Sequence, residues 1–382
     1  MPRVLAYTDY LYRQRDGTVF AERAFVHFLG AMARDLGGMQ LLGRVDEGPG
    51  PARYPLAAEI EFVTLPHFTH LTDARAVVGS MPGAVLAMWR ALEQAEIVFV
   101  LGPSPHALTL ALLALARRRR VVLGVRQNYI AYVRNRHPQR LGLQVIAAAL
   151  EGAWLALARV ASVVAVGAEL AERYRRSPRV LQTTVSLVHA SDVEAGARAA
   201  RARSYAGDEL VVLSVGRLDA EKNPLLLPEV LLALRRSDRR WRMVICGEGD
   251  LAGDLERRLA ELGLRDCCEL RGYIPLDGGL LDLYRGSHAF LHVSRTEGFP
   301  QVLIEAYASG LPSVATAVGG VPALRDCSLL VEPDDAGAAA RALIRLAKDP
   351  QLRERLISAG LRRAASQTLE IEATVAARFV SE

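Results

Sequence analysis

The stretch Thr296-Glu297-Gly298-Phe299-Pro300-Gln301-Val302-Leu303-Ile304-Glu305-Ala306 sets two carboxylates eight residues apart, with a Gly-Phe-Pro turn between them. The residues before it, Ala289-Phe290-Leu291-His292-Val293, read as a short buried strand. Those after Pro300 read as a helix that stops near Gly310, since proline suits a helix start. Glu297 therefore falls in a strand-to-helix loop and Glu305 about two turns into the helix. At a rise of ~1.5 Å per residue the two acids stand roughly 10 Å apart, about the span of a sugar, a diphosphate and a ribose. The free N–H groups of the helix start lie between them, a ready anion site. One acid can then take a sugar hydroxyl and the other a ribose hydroxyl, with phosphates on the amides between. Spacing alone would equally suit a loop acid followed by a solvated helix acid.

The longer string EGFPQVLIEAYASGLPSVATAVGGVPAL is more specific. Its E-x7-E pair, with the later Gly319-Gly320-Val321-Pro322, resembles the donor-site signature of retaining glycosyltransferases of family 4. Upstream, Val215-Gly216-Arg217-Leu218-Asp219-Ala220-Glu221-Lys222-Asn223-Pro224 follows a buried strand and looks like a second signature of that family. Gly216 lets backbone come close to a ligand. Arg217 and Lys222 put two cations at the carboxyl end of a strand, where open α/β sheets bind ligands, and a departing diphosphate needs such cations. The bland alternative is a surface turn in which Arg217 and Lys222 pair with Asp219 and Glu221. Lysine occurs only at Lys222 and Lys348 in a chain that otherwise writes its cations as arginine.

Carried over residue by residue, the resemblance implies the following. Arg217 and Lys222 hold the diphosphate; Glu297 with Gly298, Phe299 and Pro300 holds the sugar. The amides of Val302 and Leu303 touch the β-phosphate, and Glu305 holds the ribose hydroxyls. Arg271-Gly272-Tyr273-Ile274 resembles the segment that reads the nucleobase, although packing serves Tyr273 equally well. Cys246-Gly247-Glu248-Gly249-Asp250 lacks the third glycine of a dinucleotide fingerprint and reads as a tight turn near the base. Leu281–Tyr284 reads as scaffold. No D-x-D metal motif appears, and the expectation is a metal-independent site with no cofactor, in which a nucleoside diphosphate sugar, UDP-sugar before GDP-sugar, is the donor substrate.

Working outward, short Val/Ile/Leu runs alternate with helical patterns along the whole chain. In the front half the strands are expected near Val4–Ala6, Glu61–Val63, Ile97–Leu101, Val121–Val125 and Ser162–Val166, with helices over Phe20–Leu36, Pro82–Leu92 and Ala107–Arg117. Alternation of this kind indicates an α/β fold with doubly wound parallel sheets. The resemblance implies the GT-B architecture, two Rossmann-like domains facing across a cleft. Residues 1–205 are expected to form the acceptor-side domain and 206–365 the donor domain, with Glu194–Ala206 as the connection. The last helix, within 366–382, is expected to return to the first domain through an apolar stripe of Ile371, Val375, Phe379 and Val380.

The acceptor side departs from the family pattern. The usual Gly-Gly loop after the first strand is replaced by Thr8–Thr18, which has one glycine, Gly17, still able to bring backbone to the phosphates. Tyr10, Tyr12 and Arg13 offer an acceptor pocket. A histidine expected after the strand Val121–Val125 is replaced by Arg126. Asp16, Glu22, His106 and Arg126 are the candidate acceptor contacts, with a helix start or core position as the plain alternative for His106. The resemblance implies front-face attack in which the leaving phosphate takes the acceptor proton.

Composition bounds the rest. The 382 residues suffice for two domains with real cores, and 51% hydrophobic residues with a mean hydropathy of +0.14 exclude a disordered chain. Arg3–Tyr7 reads as a first strand and not as a secretory leader. The most apolar run, Leu141 to Val166, is interrupted by Glu151 and Arg159, so no spanning segment is expected. Cys246, Cys267, Cys268 and Cys327 have no C-x-x-C spacing, which reads as reduced thiols of a cytoplasmic protein with no zinc. Residues 1–205 carry 25 Arg and 16 acids, net +9, and the remainder nets −4. A basic front half, with Arg117-Arg118-Arg119-Arg120 and Arg134-Asn135-Arg136-His137, suits peripheral contact with an anionic membrane; arginine-rich genome composition and a solvated helix end explain it as well. The competing readings are a degenerate partner subunit that binds a nucleotide sugar without turnover, a nucleotide-sugar epimerase, or a sugar phosphorylase.

Overall fold

The computed structural model describes residues 2–382 other than 47, 49, 51, 69–73 and 137–138, so His137 of the basic cluster lies outside the described residues. The chain divides into two compact units, residues 1–187 with 369–382, and residues 188–368. The first is built on strands β1 (Val4–Arg15), β2 (Thr18–Ala21), β3 (Met39–Val45), β4 (Tyr54–Pro55), β5 (Ile60–Leu65), β6 (Ile97–Gly102), β7 (Arg120–Val125), β8 (Ser162–Val166) and β9 (Val180–Thr183). The second is built on β10 (Leu210–Val215), β11 (Trp241–Cys246), β12 (Cys268–Leu270), β13 (Ala289–His292), β14 (Ser313–Thr316) and β15 (Ser328–Val331).

In the second unit the strand order is β12-β11-β10-β13-β14-β15, every pair parallel. This is the doubly wound order in which the path reverses between β10 and β13, and the crevice outside their carboxyl ends is where such sheets bind ligands. The strands are nearly continuous apolar runs, as burial on both faces requires. Leu231, Met243, Leu291 and Leu343 lie in the core on one face, and Leu213, Phe290, Ile304 and Tyr307 in that on the other. Asp335 and Asp349 cap the helices Ala336–Lys348 and Pro350–Ala365, accepting from the amides of Ala338 and Leu352; each such cap is worth about 1 kcal/mol.

The first unit runs β5-β3-β1-β6-β7-β8-β9 in parallel, with its reversal between β1 and β6. The far end of β1 turns back into β2 as an antiparallel hairpin, and β4 pairs antiparallel with the outer edge of β2. The helix Leu369–Ser381 is part of this unit. Glu372 accepts from the hydroxyls of Thr183 and Thr184 and from the Thr184 amide at 2.6–2.9 Å, and the Arg120 guanidinium donates to the Val380 and Ser381 carbonyls. Ile371 and Val375 stay exposed, so the buried stripe is Ala373, Ala376, Ala377 and Val380.

Two expectations need correction. The segment Glu194–Ala206 is not a loose connection: residues 190–202 form a helix of the second unit. Gly196 sits so close to the helix Gln301–Ala308 that an added Cβ would lie 1.9 Å from the Ala308 carbonyl, and Asp192 pairs with Arg285 at 3.0 Å. The change of unit thus comes at Leu187/Val188, not at 205/206, and the return at 368/369.

The second correction concerns Thr8–Thr18. It is not a binding loop: β1 continues to Arg15 and turns through Asp16-Gly17 into β2. Both turn residues have positive φ, +48° and +77°, the two-residue hairpin turn that suits the strand twist. Asp16 and Gly17 are exposed at its tip. Gly17→Val is expected to cost roughly 1–2 kcal/mol, read as a lower thermal midpoint, and to leave nucleotide binding unchanged. Weaker nucleotide binding in this variant would return Gly17 to the site.

Candidate functional site

Both switch-point loops of the second unit carry charge, and they meet. Lys222, at the end of the short 3-10 turn Ala220–Lys222 after β10, donates from Nζ to Glu297 Oε1 at 2.5 Å. His292, the last residue of β13, donates from Nε2 to the same oxygen at 2.8 Å, with Ser294 Oγ 3.1 Å from Nε2. The Glu297 side chain is only 7% exposed. Burial alone would push its pKa up. The Lys222 charge and the His292 hydrogen bond outweigh burial and hold the carboxylate well below its ordinary range. Among the described residues His292 Nδ1, also buried, has no hydrogen-bond partner.

Glu297 is held by its backbone as well. Gly319 has φ +52°, and a Cβ there would lie 1.8 Å from the Glu297 carbonyl. Gly320 donates its amide to the Gly298 carbonyl at 3.2 Å. The Gly319-Gly320 pair is therefore the cradle into which the turn at Glu297-Gly298 sets. Gly216 has open space around the position of a Cβ, so no protein atom demands glycine there, whereas at Gly247 a Cβ would run into the Gly216 carbonyl.

Arg217 follows the bland alternative in part. Its guanidinium bonds Asp219 and, at 2.5 Å, Glu221, while Lys222 reaches across to Glu297 instead. The Arg217 side chain remains one-third exposed. Phe299 is half-buried and Pro300 buried, the latter standing at the cap of the helix Gln301–Ala308 and not within it. Leu303 is a poor phosphate donor: its amide already bonds the Pro300 carbonyl at 3.2 Å, and its side chain is buried in the core. Tyr273 is half-buried after the turn at Gly272.

Glu305 is buried in that helix, and Oε2 accepts from the Tyr284 hydroxyl at 2.9 Å. Burial raises its pKa to about 7, against the opposing effect of that hydrogen bond. Tyr284, read from sequence as scaffold, is thus the direct partner of a candidate site residue. His292 was also missed; the only sequence signal was its place at the end of a strand leading to Glu297.

In the first unit the switch point between β1 and β6 holds a group that sequence reading passed over. Asp9 Oδ1 accepts from the Tyr7 hydroxyl and from Ser104 Oγ, the latter at 2.8 Å, and its carbonyl accepts from Arg44. Burial raises the Asp9 pKa, with both side-chain hydrogen bonds opposing. Ser104 also caps the helix Pro105–Ala116. Arg126, directly after β7, lies over the Phe25 ring at 4.3 Å and over the Tyr10 ring at 5.8 Å, and burial lowers its pKa to about 10. His106 is not a contact: it is fully buried, stacked on Phe68, bonded to Ser80, and kept neutral by burial with a pKa of about 4. Glu22 pairs with its neighbour Arg23 beyond the hairpin. Tyr12 is core, bonded to Thr8, and Arg13 pairs with Asp46, so neither forms a pocket with Tyr10.

Two α/β units, each doubly wound about a parallel sheet, make an architecture of the GT-B type, and solved structures agree in fold along the whole chain. Sucrose-phosphate synthase from Thermosynechococcus elongatus superposes with a TM-score of 0.73 at 18% identity, covering 100% of this chain and 98% of that one. Anabaena HepE, solved with UDP and glucose, gives 0.70 at 16% identity over 100% of both chains. Residues 198–363, which contain the donor-side candidates of the second unit but not Gly17, match the family model of glycosyl transferases group 1. The D-inositol 3-phosphate glycosyltransferase of Saccharomonospora viridis is 33% identical over 211 residues, 51% of this chain and 48% of that protein. The chain spans about half the length, or less, of the curated relatives it matches.

Proposed function

We propose that the protein is a retaining glycosyltransferase that moves a sugar from a nucleoside diphosphate sugar, UDP-sugar first and GDP-sugar next, to a hydroxyl acceptor. The observation that carries the reading is the Lys222–Glu297–His292 cluster at the β10/β13 switch point, inside the segment that matches the family model. Lys222 and Arg217 meet the diphosphate, Glu297 takes sugar hydroxyls, and Glu305 takes the ribose. The cations neutralise the charge that grows on the leaving group, so transfer is expected to persist in the presence of a chelator.

The bond from the sugar's anomeric carbon to the phosphate oxygen breaks, and the acceptor oxygen bonds the same face. The acceptor proton passes to the leaving phosphate. A product of inverted anomeric configuration would reject this course. Acceptors of this class include a glycan, a lipid-linked intermediate or a small metabolite, and Arg126 with Asp9 stands at the first unit's switch point to receive one.

The decisive experiment is calorimetry with UDP, GDP, ADP, TDP and NAD on wild type and Arg217→Ala. One nucleoside diphosphate is expected to bind, and the substitution to weaken it at least about tenfold, the worth of one charge-assisted hydrogen bond. Binding of NAD alone, or of nothing, ends the donor-site reading. Tight UDP binding without turnover on a broad acceptor panel leaves the reading of a non-catalytic partner subunit, for which the double pairing of Arg217 is the supporting observation.

A further inference from the structure

One layer of the first unit turns apolar side chains outward. The helix Pro105–Ala116 packs against both Ala74–Ala91 and Leu141–Leu157, and residues such as Met88, Leu110 and Trp154 face the sheet and form the core. On the solvent side Val78 is 69% exposed, Leu112 57%, Leu141 72% and Val145 69%, and Trp89 and Ile146 are exposed with them. Single exposed apolar residues are ordinary; a set spread over three neighbouring helices marks an interaction surface. The helix Leu141–Leu157 has one charged residue, Glu151, and it is buried, bonded by Arg173 and Tyr174. No charge is left on that helix to keep its outer face in water.

The charges that frame this layer are almost all of one sign. Residues 74–150 contain ten arginines and two acids, Glu93 and Glu96. Arg117 lies over the Trp89 ring at 3.7 Å and stands 3.9 Å from Glu93. Arg119 and Arg120 donate to backbone carbonyls, so the four-arginine run adds less to the surface than its sequence suggests. Arg134, Arg136 and Arg140 are exposed at the approach to Leu141.

We infer that this face docks on an anionic lipid bilayer. Leu141, Val145 and Ile146 enter the boundary between headgroups and acyl chains, and Arg134 and Arg140 lie among the phosphates. A helix with an apolar outer face and a cationic flank binds in the interface plane by the sum of buried apolar area and charge attraction. A predominantly cationic frame suits an anionic surface. The inference stands apart from the sugar-transfer reading, since it uses no residue of the second unit.

The test is flotation of the full chain with phosphatidylcholine vesicles, with and without phosphatidylglycerol. The protein is expected to float with the anionic vesicles at low salt and to be released in large part at high salt. Val145→Asp with Ile146→Asp is expected to lower the bound fraction at least about tenfold. Arg134→Gln with Arg140→Gln, both at exposed positions, should lower it on the order of tenfold, and guards against a folding defect in the first pair. An unchanged circular dichroism spectrum and thermal midpoint in both variants separates loss of docking from loss of fold. Failure to float with anionic vesicles, or flotation that neither pair weakens, overturns the inference. So does a concentration-dependent dimer that the Val145/Ile146 pair abolishes in the absence of lipid binding, which would assign the face to a second copy of the chain.

Discussion

Lys222→Met is expected to lower turnover on the order of 10²-fold or more, the usual cost of removing one preorganised group from developing charge, and to destabilise the protein as well. Lys222 is the principal counter-charge of a nearly buried carboxylate, and its loss leaves Glu297 with His292 alone. A buried group deprived of its partner costs roughly 1–3 kcal/mol. Adding Glu297→Gln removes the stranded charge, so the double variant should be more stable than Lys222→Met and still inactive, a coupling that a double-mutant cycle reads directly. Additive losses of stability would mean that the two side chains do not act together.

The pH dependence has a definite sign. The folded-state pKa of Glu297 is depressed, so its contribution to stability is present above the ordinary carboxylate pKa of ~4.3 and is lost as pH falls through the lower folded value. The stability gap between wild type and Lys222→Met should therefore narrow as pH falls through the acid range, because protonation strips wild type of this contribution and relieves the stranded carboxylate of the variant.

At Glu305 the sign reverses. Its folded pKa lies up at about 7, so the protonated form favours the fold. That contribution is complete below ~4.3 and fades as pH rises through the folded value. Glu305→Gln keeps a neutral group that can still accept from Tyr284. Between pH 5 and 8 wild type should lose stability relative to this variant, by roughly 3 kcal/mol at most. Nucleotide binding should respond in the opposite direction. A carboxylate that accepts ribose hydroxyls binds best when ionised, so wild-type affinity should rise from pH 6 to 8 while that of Glu305→Gln stays low and flat. Parallel pH profiles of affinity in the two proteins would remove Glu305 from the ribose.

The parts of this protein that were legible in its sequence are those where local pattern and tertiary role coincide. The apolar runs of β10, β11, β13 and β14 are buried on both faces and could be little else. The two signatures fall where the sheet order reverses because a chain passing from strand to helix must present its loop there. Met39–Val45, Thr18–Ala21 and Val180–Thr183 were missed as strands. Gln40, Arg44, Thr18 and Gln182 break their apolar runs, and Arg44 finds its partners only on folding, the carbonyls of Asp9 and Phe68. Asp16-Gly17 is a strong hairpin signal, and its glycine serves the turn and not a ligand loop. His292, Tyr284 and Ser104 had no pattern to betray them. Each matters through one contact made by folding, with Glu297, Glu305 and Asp9 respectively.

The return of the chain at residue 369 has a consequence for how the polypeptide assembles as it is made. The second unit is one uninterrupted segment, inserted between β9 and the helix Leu369–Ser381. It leaves the ribosome whole while the first unit still lacks the helix that supplies Glu372 to Thr183 and Thr184. The usual order of synthesis, in which the amino-terminal domain is finished first, is inverted: the inner segment can close on itself while the older part of the chain waits, its threonines unpaired, for the last helix to arrive.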